Sequence, residues 1–429
     1  MANKDIFCNV PWTNLHIYWD GSFGGCCSEQ HPPHKEPNRY NIKNMSVSDW
    51  YHASPMTEMR HSIKSSNKLT QCAGCYHEES IGYESRRIKE NFKSVIFTQQ
   101  AFDKSYIQSP MYRDFEDEEI KKFPIDWHVD LGNECNLACK MCNPNASSKI
   151  SSIFKKWNLI TETANQNWTQ DPTAWQNFLD SIISVPNLNR LHFMGGEPLL
   201  NKKFLELLDF LLDNNRQSLS ISFVTNGTIT NQQIVDRLLK FRSCDIEVSL
   251  ESITNNNHYI RQASDTADVI DTIMWLHRQQ SDTFHVVLRS VPQLLNINNY
   301  DQYIAWAWKL GLPIQGIPLI NPEYLQVSVL PLELRKTFIN QYQRVKDSIP
   351  ANAINGLSTG RNVGALDTLL RKECDAMIAM LLSPEPNNVA ELRKELAQWL
   401  MRWDREFDLD AREHYPEYRD FLNDIQYTV

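Results

Sequence analysis

Short apolar runs alternate with amphipathic stretches through the middle of the chain. The runs Ile125–Leu131, Arg190–Met194, Leu219–Val224, Asp245–Leu250, His285–Val291 and Ile314–Ile317 read as strands. Between them, Lys203–Asn214, Asn231–Phe241 and Ala267–Gln279 carry apolar residues at helical spacing. Such alternation predicts an α/β fold with a parallel sheet and right-handed crossovers, built as a doubly wound sheet or as a partial barrel; the pattern alone does not choose. Beyond Pro331 the chain turns charged and helical, with helices predicted at Leu332–Asp347, Leu366–Leu382 and Val389–Phe407. Residues 1 to about 85 lack this periodicity and have turn chemistry at Asp20-Gly21 and Gly24-Gly25. They predict a small, irregular module with a thin core, organised around a bound metal. A charged connector that includes residues 114–119 follows. The expected boundaries are 1–90, 91–124, 125–320 and 321–429.

Composition narrows the class. Hydrophobic residues make up 41% of the 429, enough for a sizeable core. The net charge of −9 argues against general nucleic-acid binding or an anionic membrane as the main partner. No apolar run approaches the roughly 20 residues of a membrane span, and the N-terminus lacks a signal-peptide block, so a cytoplasmic location is expected. Eight of the ten cysteines fall in tight groups within the first third of the chain. In a reducing compartment such grouping points to metal or cluster ligation rather than disulfides. Cys244 and Cys374 stand alone in apolar surroundings and read as buried small side chains.

The first strand breaks at Gly132-Asn133 into a loop reading Cys135-Asn-Leu-Ala-Cys139-Lys-Met-Cys142. Three thiolates at this spacing can converge on a four-iron cluster and leave one iron without a protein ligand. A zinc site completed by a fourth residue is the alternative reading. The next strand ends in Gly195-Gly196-Glu197-Pro198, where glycines permit close approach of backbone to a ligand and a carboxylate can accept from an ammonium group. Thr225-Asn226 ends the third strand, and Ser249-Leu250-Glu251 ends the fourth. Read alone, these are a tight turn, a helix cap and an exposed strand end.

Together these motifs resemble the radical S-adenosylmethionine superfamily, with Cys135, Cys139 and Cys142 matching its C-x3-C-x2-C hallmark. The resemblance covers about 125–320 and implies a partial (β/α)6, TIM-like barrel holding a [4Fe-4S] cluster and S-adenosylmethionine. It implies cofactor contacts from Met141, Gly195, Gly196, Glu197, Pro198, Thr225, Asn226, Ser249, Glu251 and Arg261, with Asn296 and Gln293 weaker. Met141 departs from the aromatic residue usual at its position.

In the N-terminal module, Cys8, Asp20-Gly21 through Cys26-Cys27, and Cys72-Ala-Gly-Cys75 wrap thiolates suited to a cluster or a four-cysteine zinc. The pattern resembles the twitch module, a shortened SPASM domain, and implies a second, auxiliary [4Fe-4S] cluster on Cys8, Cys26, Cys72 and Cys75, with Cys27 as spare or substitute. Here the module precedes the barrel instead of following it, so its cluster must reach the barrel mouth by docking.

The resemblance implies reductive cleavage of S-adenosylmethionine and hydrogen abstraction from a ribosomally made peptide or protein. A reducing donor of flavodoxin or ferredoxin type, and a separate peptide-delivery protein, are the implied partners. The alternatives are radical modification of a small metabolite or nucleotide, and a non-catalytic zinc-organised binding protein. The aromatics Trp399, Trp403, Tyr415 and Tyr418 fit either peptide docking or helix packing.

Overall fold

The computed structural model describes residues 6–29, 32–80, 84–91, 123–164, 167–351 and 365–429. Residues 92–122 of the expected connector lie outside them. The strands are β1 (Asn14–Ile17), β2 (Phe23–Gly24), β3 (Asp126–Asp130), β4 (Ala138–Cys139), β5 (Arg190–Met194), β6 (Ser220–Thr225), β7 (Ser243–Ser249), β8 (Arg261–Gln262), β9 (Phe284–Ser290) and β10 (Ile314–Gly316). Eight form one sheet, ordered β10-β9-β7-β6-β5-β3-β1-β2.

That order decides between the two expected architectures. From β3 to β10 the parallel strands lie side by side in chain order. A doubly wound sheet reverses direction at a switch point; this sheet does not, so it is a partial barrel of six parallel strands. The turns leading into the outer helices are set locally. Asp171, Asn201, Asn231 and Asp265 each accept a backbone N–H in the first turn of the following helix.

Alternation along the strands sorts the two faces. In register, Leu15, Trp127, Leu191, Ile221, Cys244 and Phe284 form a buried apolar row. This row faces the helices, as the contact of Trp127 with Phe178 shows. The neighbouring register row is His16, His128, His192, Ser222, Asp245 and His285. The barrel interior is therefore polar and internally paired. His192 bonds Ser222 at 2.8 Å, His285 meets Asp245 at 3.0 Å, and Arg190 joins Asp126 at 3.2 Å.

The N-terminal segment is more integrated than its sequence suggests. β1 pairs in parallel with β3 and continues the barrel sheet, and β2 returns antiparallel along it. Leu15, Ile17, Phe23, Ile42, Val47 and Trp50 belong to the same core as the barrel. Docking is by sheet continuation rather than by surface contact between separate bodies. At the other end, helices Leu332–Ser348 and Leu366–Leu382 pack on helix Tyr300–Leu310 and extend that core. Trp403, Tyr415 and Tyr418 are buried, so helix packing accounts for them and a docking face does not. No helix among the described residues is long and apolar enough to cross a membrane.

Candidate active site

The site lies where β3, β5, β6 and β7 end. β3 runs out at Asp130, and the loop beyond it returns as β4, which pairs antiparallel with β8 so that Cys139 sits opposite Arg261. Cys135, Cys139 and Cys142 line one cavity of about 150 Å³ together with Gly195, Gly196, Thr225, Asn226, Ser249 and Arg261. Burial pushes all three thiols up, Cys139 to about 11. After burial, Cys139 and Cys135 are the next largest influences raising Cys142, because all three face the same space. Uncompensated, three such thiolates repel; a cationic metal body removes that penalty.

The donor set fits a cluster. Among the described residues lining this cavity, the three cysteines are joined by no fourth Cys and by no His, Asp or Glu. A structural zinc needs four protein ligands, whereas a four-iron cluster with three cysteines keeps one iron open. No three His, Cys, Asp or Glu side chains among the described residues meet closely enough to hold a single ion.

The remaining expected residues divide into those facing the cavity and those behind it. Glu197 is buried, and its carboxylate accepts from Thr225 Oγ1 at 2.9 Å, from Asn226 N at 2.6 Å and from Leu199 N at 3.1 Å. It braces the β6 end rather than facing the cavity. Burial raises its pKa, and these three donors oppose the rise. Pro198 is buried and opens a short 3-10 turn. Glu251 is not an exposed strand end. It is fully buried, bonds Arg261 Nη1 at 2.9 Å, and accepts from Ser290 Oγ at 3.0 Å and Val291 N at 2.8 Å. Asn296 donates to Glu251 from behind at 3.3 Å.

Arg261 is accordingly no surface ion pair but a cation fixed at the cavity wall. Burial opposes its charge, yet Cys139 and Glu251 outweigh burial and push its pKa up. Its Nε is buried without a hydrogen-bond partner. Asn226 donates to Asn136 at 2.8 Å, tying the β6 end to the cysteine loop. Met141 does not line the cavity and packs against the main core. Sequence reading missed Met194, Ser147 and Arg289, which also line it. Met194 and Arg289 sit at strand ends, where a barrel places its working residues, and that position was the available signal.

A second cavity holds Cys8, Cys26, Cys72 and Cys75 in its wall, with Glu29, Tyr76 and Arg87. Burial raises all four thiols, Cys72 to about 12. Ser28 N donates to Cys26 Sγ at 3.3 Å, the type of bond that steadies a charged sulfur. Cys27 faces elsewhere. It contacts Arg86 and lines a third cavity, of about 270 Å³, that shares Met194 and Arg289 with the first.

Family models for the radical SAM superfamily and for an iron–sulfur cluster-binding (SPASM) domain match residues 129–292 and 8–76. Residues 129–292 are a radical SAM domain. Its cofactors are S-adenosylmethionine and a [4Fe-4S] cluster at the barrel, with an auxiliary iron–sulfur cluster in the SPASM segment. That segment precedes the radical SAM segment. The chain is 25% identical over 231 residues to the radical SAM cyclopropyl synthase TigE of Paramaledivibacter caminithermalis, covering 50% of this chain and 46% of that protein. It is 22% identical over 181 residues to an S-adenosylmethionine-dependent nucleotide dehydratase of Selenomonas ruminantium, covering 41% and 58%. The chain thus spans about half the length of these curated relatives. Among solved structures, native anSMEcpe with bound AdoMet superposes with a TM-score of 0.40 at 15% identity, covering 53% of this chain and 60% of that one.

Proposed function

We propose that this chain is a radical enzyme that modifies a residue of a ribosomally made peptide or protein by hydrogen abstraction. The observation that carries the radical chemistry is the cavity in which three thiols meet no fourth protein ligand. With both groups bound, electron transfer from the cluster into the sulfonium supplies a 5′-deoxyadenosyl radical.

The chain's own residues then have distinct tasks. Cys135, Cys139 and Cys142 hold the cluster. The Gly195-Gly196 backbone leaves room for a ligand at close range, and Arg261, fixed by Glu251, offers a cation to a carboxylate. Thr225 and Asn226, braced by Glu197, and Ser249 complete the wall. Cys8, Cys26, Cys72 and Cys75 hold the auxiliary cluster, and Cys27 remains outside that set.

The substrate enters through the third cavity. Its wall combines Arg86, Lys89 and Arg289 with Glu78, Glu84 and Glu90, and it takes residues from both the N-terminal segment and β10. Both signs of charge side by side suit a polar chain carrying both donors and acceptors. The product is a cross-link, an epimer or an excised backbone unit. A flavodoxin- or ferredoxin-type donor supplies the electron, and a separate protein delivers the peptide. The likeness to a nucleotide dehydratase favours a second reading, a nucleotide or small-metabolite substrate.

The two readings separate in one experiment. Anaerobically reconstituted enzyme, reduced with dithionite, is incubated with peptide and nucleotide panels. The proposal expects a product change on a peptide matched by 5′-deoxyadenosine release. Coupled turnover confined to nucleotides contradicts it.

A further inference from the structure

The cysteine loop carries a charge that the cofactor motifs leave unexplained. Lys140 stands between Cys139 and Cys142, and its side chain is fully buried. Its Nζ lies 3.7 Å from Asp404 Oδ1, also fully buried, and donates to Tyr259 O at 2.9 Å. The ammonium sits 3.7 Å from the centre of the Tyr259 ring and 5.3 Å from that of Trp403.

Asp404 belongs to helix Val389–Phe407, more than two hundred and fifty residues further along the chain. Its Oδ2 gathers three donors: Tyr259 OH at 2.9 Å, Tyr427 OH at 2.6 Å and Ala411 N at 3.0 Å. One carboxylate thereby joins the cysteine loop, the segment that leads into Arg261 and the end of the chain. The neighbouring Trp403 packs on Ala138, Ile150 and Ile153, with Cys142 against the same cluster of side chains. The same segment also holds the loop by backbone, with Lys140 N bonded to Ile260 O at 2.8 Å.

Burying an ammonium and a carboxylate is costly before pairing, and an apolar pair of similar volume is often no less stable. Stability alone does not call for a lysine here. What the pair does is tie the cysteine loop to a distant helix, and contacts that orient ligand residues tune the body those residues hold.

We propose that helix Val389–Phe407 is part of the radical-generating site, with Asp404 as a positioning residue that holds Lys140 and through it fixes the geometry of the cysteine loop. This rests on the reading of Cys135, Cys139 and Cys142 as cluster ligands. The C-terminal helices are then a working part of the site rather than an appended support.

The test is redox titration of reconstituted holoenzyme followed by electron paramagnetic resonance, taking as the barrel cluster the signal that changes on adding S-adenosylmethionine. Lys140→Met is expected to shift the midpoint and line shape of that signal and to speed amide exchange across residues 133–146, Lys140→Arg to keep them near wild type, and the auxiliary signal to stay put in both. Asp404→Asn is expected to alter the line shape of the same signal and to speed amide exchange across residues 133–146, and it serves where Lys140→Met fails to load iron. Loaded variants with unshifted midpoint, line shape and exchange overturn the inference while leaving the cysteine assignment intact. A wild-type protein with no S-adenosylmethionine-responsive cluster overturns the assignment and this inference with it.

Discussion

Replacing Cys135, Cys139 and Cys142 together by alanine is expected to abolish 5′-deoxyadenosine formation and to lower iron from about eight to about four atoms per chain. The size of the effect follows from the geometry. These three thiols are the only Cys, His, Asp or Glu side chains among the described residues lining their cavity, so no neighbour takes over as a ligand. The converse variant, Cys72→Ala with Cys75→Ala, removes two of four thiols from the other cavity. It is expected to lose the remaining irons, to keep uncoupled cleavage of S-adenosylmethionine and to lose product. Iron and sulfide analysis beside 5′-deoxyadenosine assay checks both. A triple variant that still cleaves the cofactor shows that the radical originates elsewhere.

Gly196→Ala is expected to destabilise the protein far more than Gly311→Ala, although both glycines have positive φ, +56° and +71°. The backbone penalty for a side chain in this region is common to the two, about 1–2 kcal/mol. Their surroundings differ. A Cβ at Gly311, the cap of helix Tyr300–Leu310, meets nothing within 4 Å. At Gly196 it falls 2.1 Å from Glu134 O and 2.7 Å from Asn133 C, both backbone atoms of the segment leading into the cysteine loop. Those atoms do not swing aside as a flexible side chain does. Overpacking adds about 1–3 kcal/mol and pushes the loop outward. Comparing the two variants cancels the shared strain and isolates the close approach of the β5 turn to the cysteine loop. Thermal midpoints of the two proteins, with cluster loading measured beside them, give the contrast; equal loss in both contradicts it.

The parts of this arrangement that sequence made visible are those coded locally. Cysteine spacing, the glycine pair after a strand and the apolar runs each depend on a few adjacent residues. Helices Leu366–Leu382 and Val389–Phe407 lie where their periodicity places them, and the six barrel strands agree to within two residues at each end.

What sequence left hidden depends on partners far along the chain. β1 is only four residues long, and its identity as a strand comes from pairing Asn14 with Asp126. No local period announces such an edge. The polar row from His16 to His285 becomes a layer only when separate strands fall into register. Glu251 and Asn296 sit where motif reading places cofactor contacts, yet Glu251 holds Arg261 and Asn296 donates to Glu251, because a buried guanidinium demands its own counter-charge. Lys140 lies inside the best-read motif of all. Its partner Asp404 is on a helix whose periodicity marks it simply as packed, so their link is invisible before the chain folds.

The proposed radical chemistry depends on an iron that the protein leaves unligated for S-adenosylmethionine to occupy. Electron–nuclear double resonance on the reduced holoenzyme, using S-adenosylmethionine labelled with 17O at the methionyl carboxylate and 15N at its amine, measures that bond directly. Hyperfine coupling from both labels to the cluster is expected, as is its disappearance in the Cys135, Cys139 and Cys142 variant. A loaded cluster with saturating cofactor and no coupling from either label contradicts it.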